Sequence, residues 1–189
     1  MRAVRLSFAL LLLPLLAPLA ACDSTTGLGD PLIVVDTLTI GAPSVAPASV
    51  PSAVDVVSFS GGAIGGGRFP ERPLEAEQWD FTVRLRNGSF AFYPRAAVGV
   101  AGNRAGITQP MDTPFDDVRE APASSRFVMD SAVVVRQGAT YVVRSRIYSS
   151  PCFEYARVQP LELNAAAGTV KLQVATSATC QDTRLVPKD

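Results

Sequence analysis

Trp79-Asp80-Phe81-Thr82-Val83-Arg84-Leu85-Arg86-Asn87-Gly88-Ser89-Phe90-Ala91-Phe92-Tyr93 is the stretch whose reading decides the fold. Phe81, Val83 and Leu85 alternate with Thr82, Arg84 and Arg86, the period of two that marks a strand with one face toward a core. Asn87-Gly88 follows, a pair that tolerates positive φ at both positions and so closes a tight hairpin. Ser89 to Tyr93 then returns as the partner strand.

Working outward, the same pattern recurs on both sides. Leu32 to Ile40 is rich in β-branched residues and predicts a first strand. Residues 41–53 carry Pro43, Pro47 and Pro51 and read as extended linker or edge loop. Val54 to Phe59 is a second short strand, and Gly61 to Gly67 is a glycine-rich loop. That loop lacks the Gly-Lys-Ser/Thr ending of a phosphate-binding turn. Phe127 to Val135 and Thr140 to Ser149 read as another hairpin around Gln137-Gly138. Helix is scarce. Thr113-Pro114-Phe115-Asp116 offers an N-cap, a proline at N1 and acid in the first turn, predicting one short helix near 114–120 that Pro122 stops. The expected fold is all-β, a single antiparallel β-sandwich or open barrel over residues 32–189.

The last hairpin bears on the cysteines. If Leu163 pairs with Thr169 across Asn164–Gly168, the antiparallel register sets Val158 opposite Val174 and Cys152 opposite Cys180. A disulfide is then expected between Cys152 and Cys180; Pro160, with no N–H to donate, is the weak point of this ladder and calls for a bulge, which would shift the register by one, or an edge position.

The first 22 residues carry a different message. Arg2 and Arg5 precede an apolar run from Leu6 to Leu19 that Pro14 and Pro18 interrupt, the layout of a secretory signal rather than a membrane span. Leu19-Ala20-Ala21-Cys22 resembles the lipobox of bacterial lipoproteins. The resemblance implies that residues 1–21 are removed and that Cys22 carries a diacylglyceryl group and an acylated amine. Two or three acyl chains, at about 0.8 kcal/mol per buried methylene, hold a protein stably on a membrane. Residues 22–31 would then be the lipidated N-terminus and its tether. The expected location is the bacterial cell envelope, in an oxidising compartment where the remaining pair of cysteines bonds.

Charge and composition exclude several functions. Of 17 Lys and Arg, Arg2 and Arg5 lie in the leader, so 15 face 17 Asp and Glu and the mature charge is close to −2. That balance offers nothing to nucleic acid. Histidine is absent, which removes Ser-His-Asp and Cys-His catalysis and histidine metal sites. Asp112, Asp116, Asp117 and Glu120 form the densest acidic cluster, a candidate for calcium or for paired-carboxylate hydrolysis, although capping a helix already accounts for Asp116 and Asp117. Trp79, Tyr93, Tyr141, Tyr148 and Tyr155 suit core positions better than a carbohydrate platform. Arg68-Phe69-Pro70-Glu71-Arg72-Pro73 is either a structured connection or the lip of a ligand site. Arg84, Arg86, Arg144 and Arg146 would line solvent faces of two strands; were those strands neighbours, they would form a patch able to grip carboxylate or sulfate.

Trp79-Asp80-Phe81-Thr82-Val83-Arg84 also resembles a strand of the HmuY-like lipoproteins. Tyr155-Ala156-Arg157-Val158, with Leu163 and Gly168-Thr169-Val170-Lys171-Leu172, is similar to that family's C-terminal hairpin. The resemblance implies an all-β, membrane-anchored domain that carries heme. With no histidine, the sulfurs of Met111 and Met129 would be the iron ligands on offer. The expected function is a non-enzymatic binding or structural role with no resident cofactor; the alternatives are a heme or small-ligand carrier and a carboxylate-based envelope hydrolase.

Overall fold

The structure, a computed structural model, describes residues 30–57, 66–100 and 104–187. The signal segment, Cys22, the tether up to residue 29, residues 58–59 and Gly61–Gly65 lie outside the described residues, and the strand expected over Val54–Phe59 ends at Val54, with Val56 and Val57 in a helical turn.

Among the described residues, eleven strands form two antiparallel sheets. The larger is built from β1 (Ile33–Gly41), β11 (Thr169–Ser177), β10 (Tyr155–Asn164), β9 (Tyr141–Arg144), β6 (Gly106–Thr108) and β7 (Phe127–Val128), in that spatial order. The smaller runs β3 (Gly67–Arg68), β2 (Ala53–Val54), β4 (Phe81–Arg86), β5 (Ser89–Pro94) and β8 (Val133–Val134). The sheets do not close into a barrel, and the expected all-β antiparallel fold takes a sandwich-like form.

The central hairpin forms as its alternation requires. Arg86 pairs with Ser89 and Phe81 with Pro94, and the turn residues Asn87 and Gly88 take φ of 50° and 76°. Phe81 and Val83 point inward with Phe90 and Phe92, and the opposing sheet answers with Ile40, Ile107, Tyr141, Val143, Val158, Leu172 and Val174. Phe92 stands edge-on to Phe81 at 5.0 Å and to Tyr141 at 5.4 Å, which ties the two layers through three rings. Edge-to-face pairs contribute about 0.5–1.5 kcal/mol each beyond the apolar area they bury.

Two expectations need correction. The hairpin expected from Phe127–Val135 and Thr140–Ser149 does not form. Asp130 and Ser131 break the first run, so β7 joins β6 in the large sheet while β8 crosses to pair with β5 in the small one. The expected helix near 114–120 is a single 3-10 turn over Phe115–Asp117, with Pro114 at its cap and no side-chain cap from Thr113. Extension beyond it is prevented by the C-terminal tail, which takes the backbone: Leu185 N donates to Arg119 O, and Ala121 N to Thr183 O. Further 3-10 turns lie at Arg95–Val98 and Ser124–Arg126.

That tail and the 109–126 segment give the large sheet a second buried layer. Val118, Phe127, Val142, Tyr155 and Leu185 pack together on its outer face, away from the sandwich core. Cys152 and Cys180 are bonded, with Cα atoms 5.2 Å apart. The bond is consistent with an oxidising compartment. No helix among the described residues is long and apolar enough to cross a membrane.

Candidate functional site

Charge inside this protein is organised by arginines that lie on strands or at their ends. Arg146 follows β9 and turns inward with 8% of its surface exposed. Its Nη1 donates to Asp55 Oδ1 at 2.6 Å and to Asp80 Oδ1 at 3.2 Å, and Nη2 reaches Asp55 Oδ2 at 3.3 Å. Asp55 follows β2 and Asp80 precedes β4, so one guanidinium from the large sheet clamps two carboxylates from the small one. Arg68 adds a second cation to Asp55 at 3.3 Å. Asp80 also accepts the backbone N–H of Arg146 at 2.7 Å and of Val56 at 2.8 Å.

Burial pushes the Asp80 carboxyl from 3.8 up to about 6, with Arg146 pulling it down and Asp55 adding to the rise. The folded chain therefore holds a proton at pH values where the unfolded chain has released it. Stability from this source is complete below the unfolded value and is lost as pH climbs through about 6. Relative to wild type, Asp80→Asn is expected to gain on the order of 2–3 kcal/mol between about pH 4 and about pH 7. Urea unfolding across that range measures it; a constant gap between the two proteins contradicts it. Two neighbouring acids, one with a raised pKa, are what carboxylate hydrolysis needs. Here both are buried, at 2% and 1% exposure, and bonded into the clamp, so the pair presents no surface to a substrate.

The two arginine-bearing strands are not neighbours, so the condition for one patch is not met. Arg84 and Arg86 lie on β4 in the small sheet; Arg144, on β9, and Arg146 belong to the large-sheet side. Arg84 sits over the Tyr93 ring at 4.9 Å, and together with Arg86, Pro43, Ser44 and Leu85 it borders a depression of about 360 Å³. Arg144 is buried rather than solvated, because the outer face of its strand is covered. It donates through Nε at 2.9 Å to Arg104 O and lies between the rings of Phe127 and Phe153, 5.7 and 5.6 Å away. Burial holds its pKa below the ordinary arginine value.

Among the other sequence candidates, Asp112 pairs with Arg136 at 2.7 Å and Asp116 faces Arg157 at 3.8 Å. The acidic cluster thus points to different partners, and among the described residues no three acid or cysteine groups converge as a metal cage. Trp79, Tyr141 and Tyr155 are buried, as core roles require. In the Arg68–Pro73 segment, Arg72 stacks on Phe69 at 3.6 Å and Phe69 N donates to Glu75 Oε2, which is the structured connection.

The methionines separate. Met129 Sδ accepts from Arg144 Nη2 at 3.3 Å and is half-buried, whereas Met111 packs against the outer cluster of the large sheet. Met111 bridges to Thr140 and lines a cleft of about 440 Å³ with Thr108, Gln109, Pro110, Pro122, Ser125, Arg126 and Val128. The cleft arises where β6 runs past the end of β7. Pro110, Met111, Pro122 and Val128 supply apolar walls, Thr108, Gln109 and Ser125 supply hydrogen-bonding groups, and Arg126 supplies the cation. Its volume falls in the range of small-molecule sites, about 300–1,000 Å³.

Sequence reasoning named Met111 but missed Arg126 and the Asp55–Asp80–Arg146 clamp. The signal for the clamp was present in two places: Asp55 interrupts Val54 and Val56, and Asp80 interrupts Trp79 and Phe81. An acid within an apolar run needs a buried partner. No family model, curated protein or solved structure matches the chain, so the likeness to HmuY-like lipoproteins rests on its strand residues alone.

Proposed function

We propose that this chain is a lipid-anchored protein of the bacterial cell envelope that works by binding a ligand, and that the Met111 cleft is where it binds. The lipobox at Leu19–Cys22 supports the anchor. The observation that carries the binding role is the composition of the cleft: apolar walls around one exposed cation. A pocket of that make-up favours a small molecule with an apolar body and one anionic group, its head on Arg126 and its body against Met111 and the two prolines.

The probe is 8-anilinonaphthalene-1-sulfonate, an aromatic sulfonate that fluoresces when it enters an apolar site, with decanoate as competitor. Saturable binding displaced by decanoate is expected. Arg126→Ala should weaken it about tenfold, equivalent to about 1.4 kcal/mol. Equal binding by wild type, Arg126→Ala and Met111→Asp would reject the site.

The carrier reading has one observation in its favour, the Met111 side chain in the cleft wall. Incubation with hemin should then give a shifted Soret band that Met111→Ala abolishes. An unshifted band removes heme from consideration and leaves the anionic-ligand reading in place.

A further inference from the structure

Three uncharged segments meet at one end of the sandwich. β1 begins there: Leu32 O accepts from Ala178 N, and Ile33 pairs with Ser177, which on its other side pairs with Tyr155. The 147–153 segment reaches the same end, since Tyr148 N donates to Cys152 O and the Cys152–Cys180 bond ties that segment to 178–181. Gln181 Nε2 closes the group by donating to Pro151 O. Residues 31–35, 147–153 and 175–181 contain no Asp, Glu, Lys or Arg. Leu32 is 63% exposed, Val35 55% and Tyr148 40%, and Pro151 is exposed beside them. Asp30 and the half-exposed Asp36 flank the first segment, and Arg184 stands close enough to Asp30 to feel its charge.

We propose that this end rests against the bilayer, with Leu32, Tyr148 and Pro151 seated in the interfacial layer of the lipid. The inference depends on Cys22 being the anchor. Only residues 23–31 separate Cys22 from Leu32, and a fully extended chain spans at most about 3.3–3.6 Å per residue. The start of β1, at Ile33, therefore stays within roughly 40 Å of the lipid surface. Of all parts of the domain this is the end that the anchor holds down. The Tyr148 hydroxyl donates to Glu154 Oε1 at 2.8 Å, so its polar end is satisfied within the protein while its exposed ring surface is free to meet the interfacial layer. With no cation in these segments, seating depends on apolar contact and not on anionic headgroups.

The orientation has a consequence for the cleft. Met111 bridges to Thr140, just before β9 begins, whereas Tyr148 lies beyond the end of that strand. The ligand site is thereby displayed away from the bilayer.

The test couples the mature chain, through the Cys22 thiol, to a maleimide-bearing lipid in phosphatidylcholine vesicles that contain brominated acyl chains. Coupling by chemistry separates this question from native lipidation, which the mass of the cell-derived protein decides independently. Leu32→Trp and Ser149→Trp place an indole at the proposed surface; Leu161→Trp places one toward the far turn of β10. Quenching of the first two at least about twofold above the third is expected, unchanged by salt or by added phosphatidylglycerol. Equal quenching at all three positions would overturn the proposal. So would shielding of the Leu32→Trp indole that rises with protein concentration in the absence of vesicles, because a second copy would then occupy the surface.

Discussion

Replacing Arg146 with methionine is expected to lower the stability of the domain by about 3–5 kcal/mol, the cost of leaving buried charge without its partner. Methionine follows the arginine stem as far as the Nε position, so the packing of the stem is kept and the charged head is removed. What disappears is the guanidinium that stands between Asp55 and Asp80. Arg68 remains on Asp55, but Asp80 keeps only the backbone N–H groups of Arg146 and Val56. Two carboxylates then share a dry site, and one of them must take up a proton. Stability should consequently become steeply pH-dependent, recovering toward acid. Arg146→Met/Asp80→Asn should regain part of the loss, since one of the two charges has gone. For a domain of this size each kcal/mol moves the melting midpoint by about 2–4 °C, so calorimetry will resolve the effect easily. A loss below about 1 kcal/mol would mean that the clamp is a surface-strength ion pair and does not join the sheets.

Removing the disulfide should have an effect of similar size. The bond closes a loop with a sequence separation of 28, worth roughly 3–4 kcal/mol in the chain-entropy account. Cys152→Ala/Cys180→Ala is expected to lose that much in urea. Loosening should concentrate where the two segments lean on each other, at Tyr148–Phe153 and Ala178–Leu185. Amide exchange should rise there first and leave β4 and β5 protected. Uniform acceleration across both sheets would show instead that the bond stabilises only through the unfolded chain.

How the cysteines came to be legible is instructive, because two errors offset each other. The sequence register placed Leu163 opposite Thr169; the structure places Asn164 there and Leu163 opposite Val170. The turn is shorter by one residue than its sequence suggests. Pro160 then restores the frame, since the register shifts between Pro160 and Glu162. From Pro160 to Tyr155 the hairpin runs in the expected alignment, Val158 opposite Val174. The expectation about proline and the expectation about the bond therefore both hold, while the pairing at the turn does not.

The arginines show where periodicity stops being informative. Alternation correctly puts Arg144 on the face opposite Tyr141 and Val143. It carries no information about whether that face meets water, and here the 109–126 segment and the tail cover it. Arg146 lies beyond β9 altogether, so alternation did not govern it. The cleft was illegible for a related reason. Its walls come from the end of β6 and from the Pro122–Val128 stretch, brought together by a β6–β7 pairing that the mistaken Phe127–Ser149 hairpin had hidden. Short strands of two residues carry too little pattern to be assigned to a sheet from sequence.

Holding a binding domain on a membrane by Cys22, with Cys152 and Cys180 left to bond, is the division of three cysteines on which the functional account stands. Intact mass and peptide mapping of the protein from its native envelope, under non-reducing conditions, test it in one measurement. The account predicts a chain beginning at Cys22 and carrying a diacylglyceryl and an amide-linked acyl group, with Cys152 and Cys180 joined in one peptide pair. An N-terminus elsewhere, or an unmodified thiol at Cys22, would contradict it.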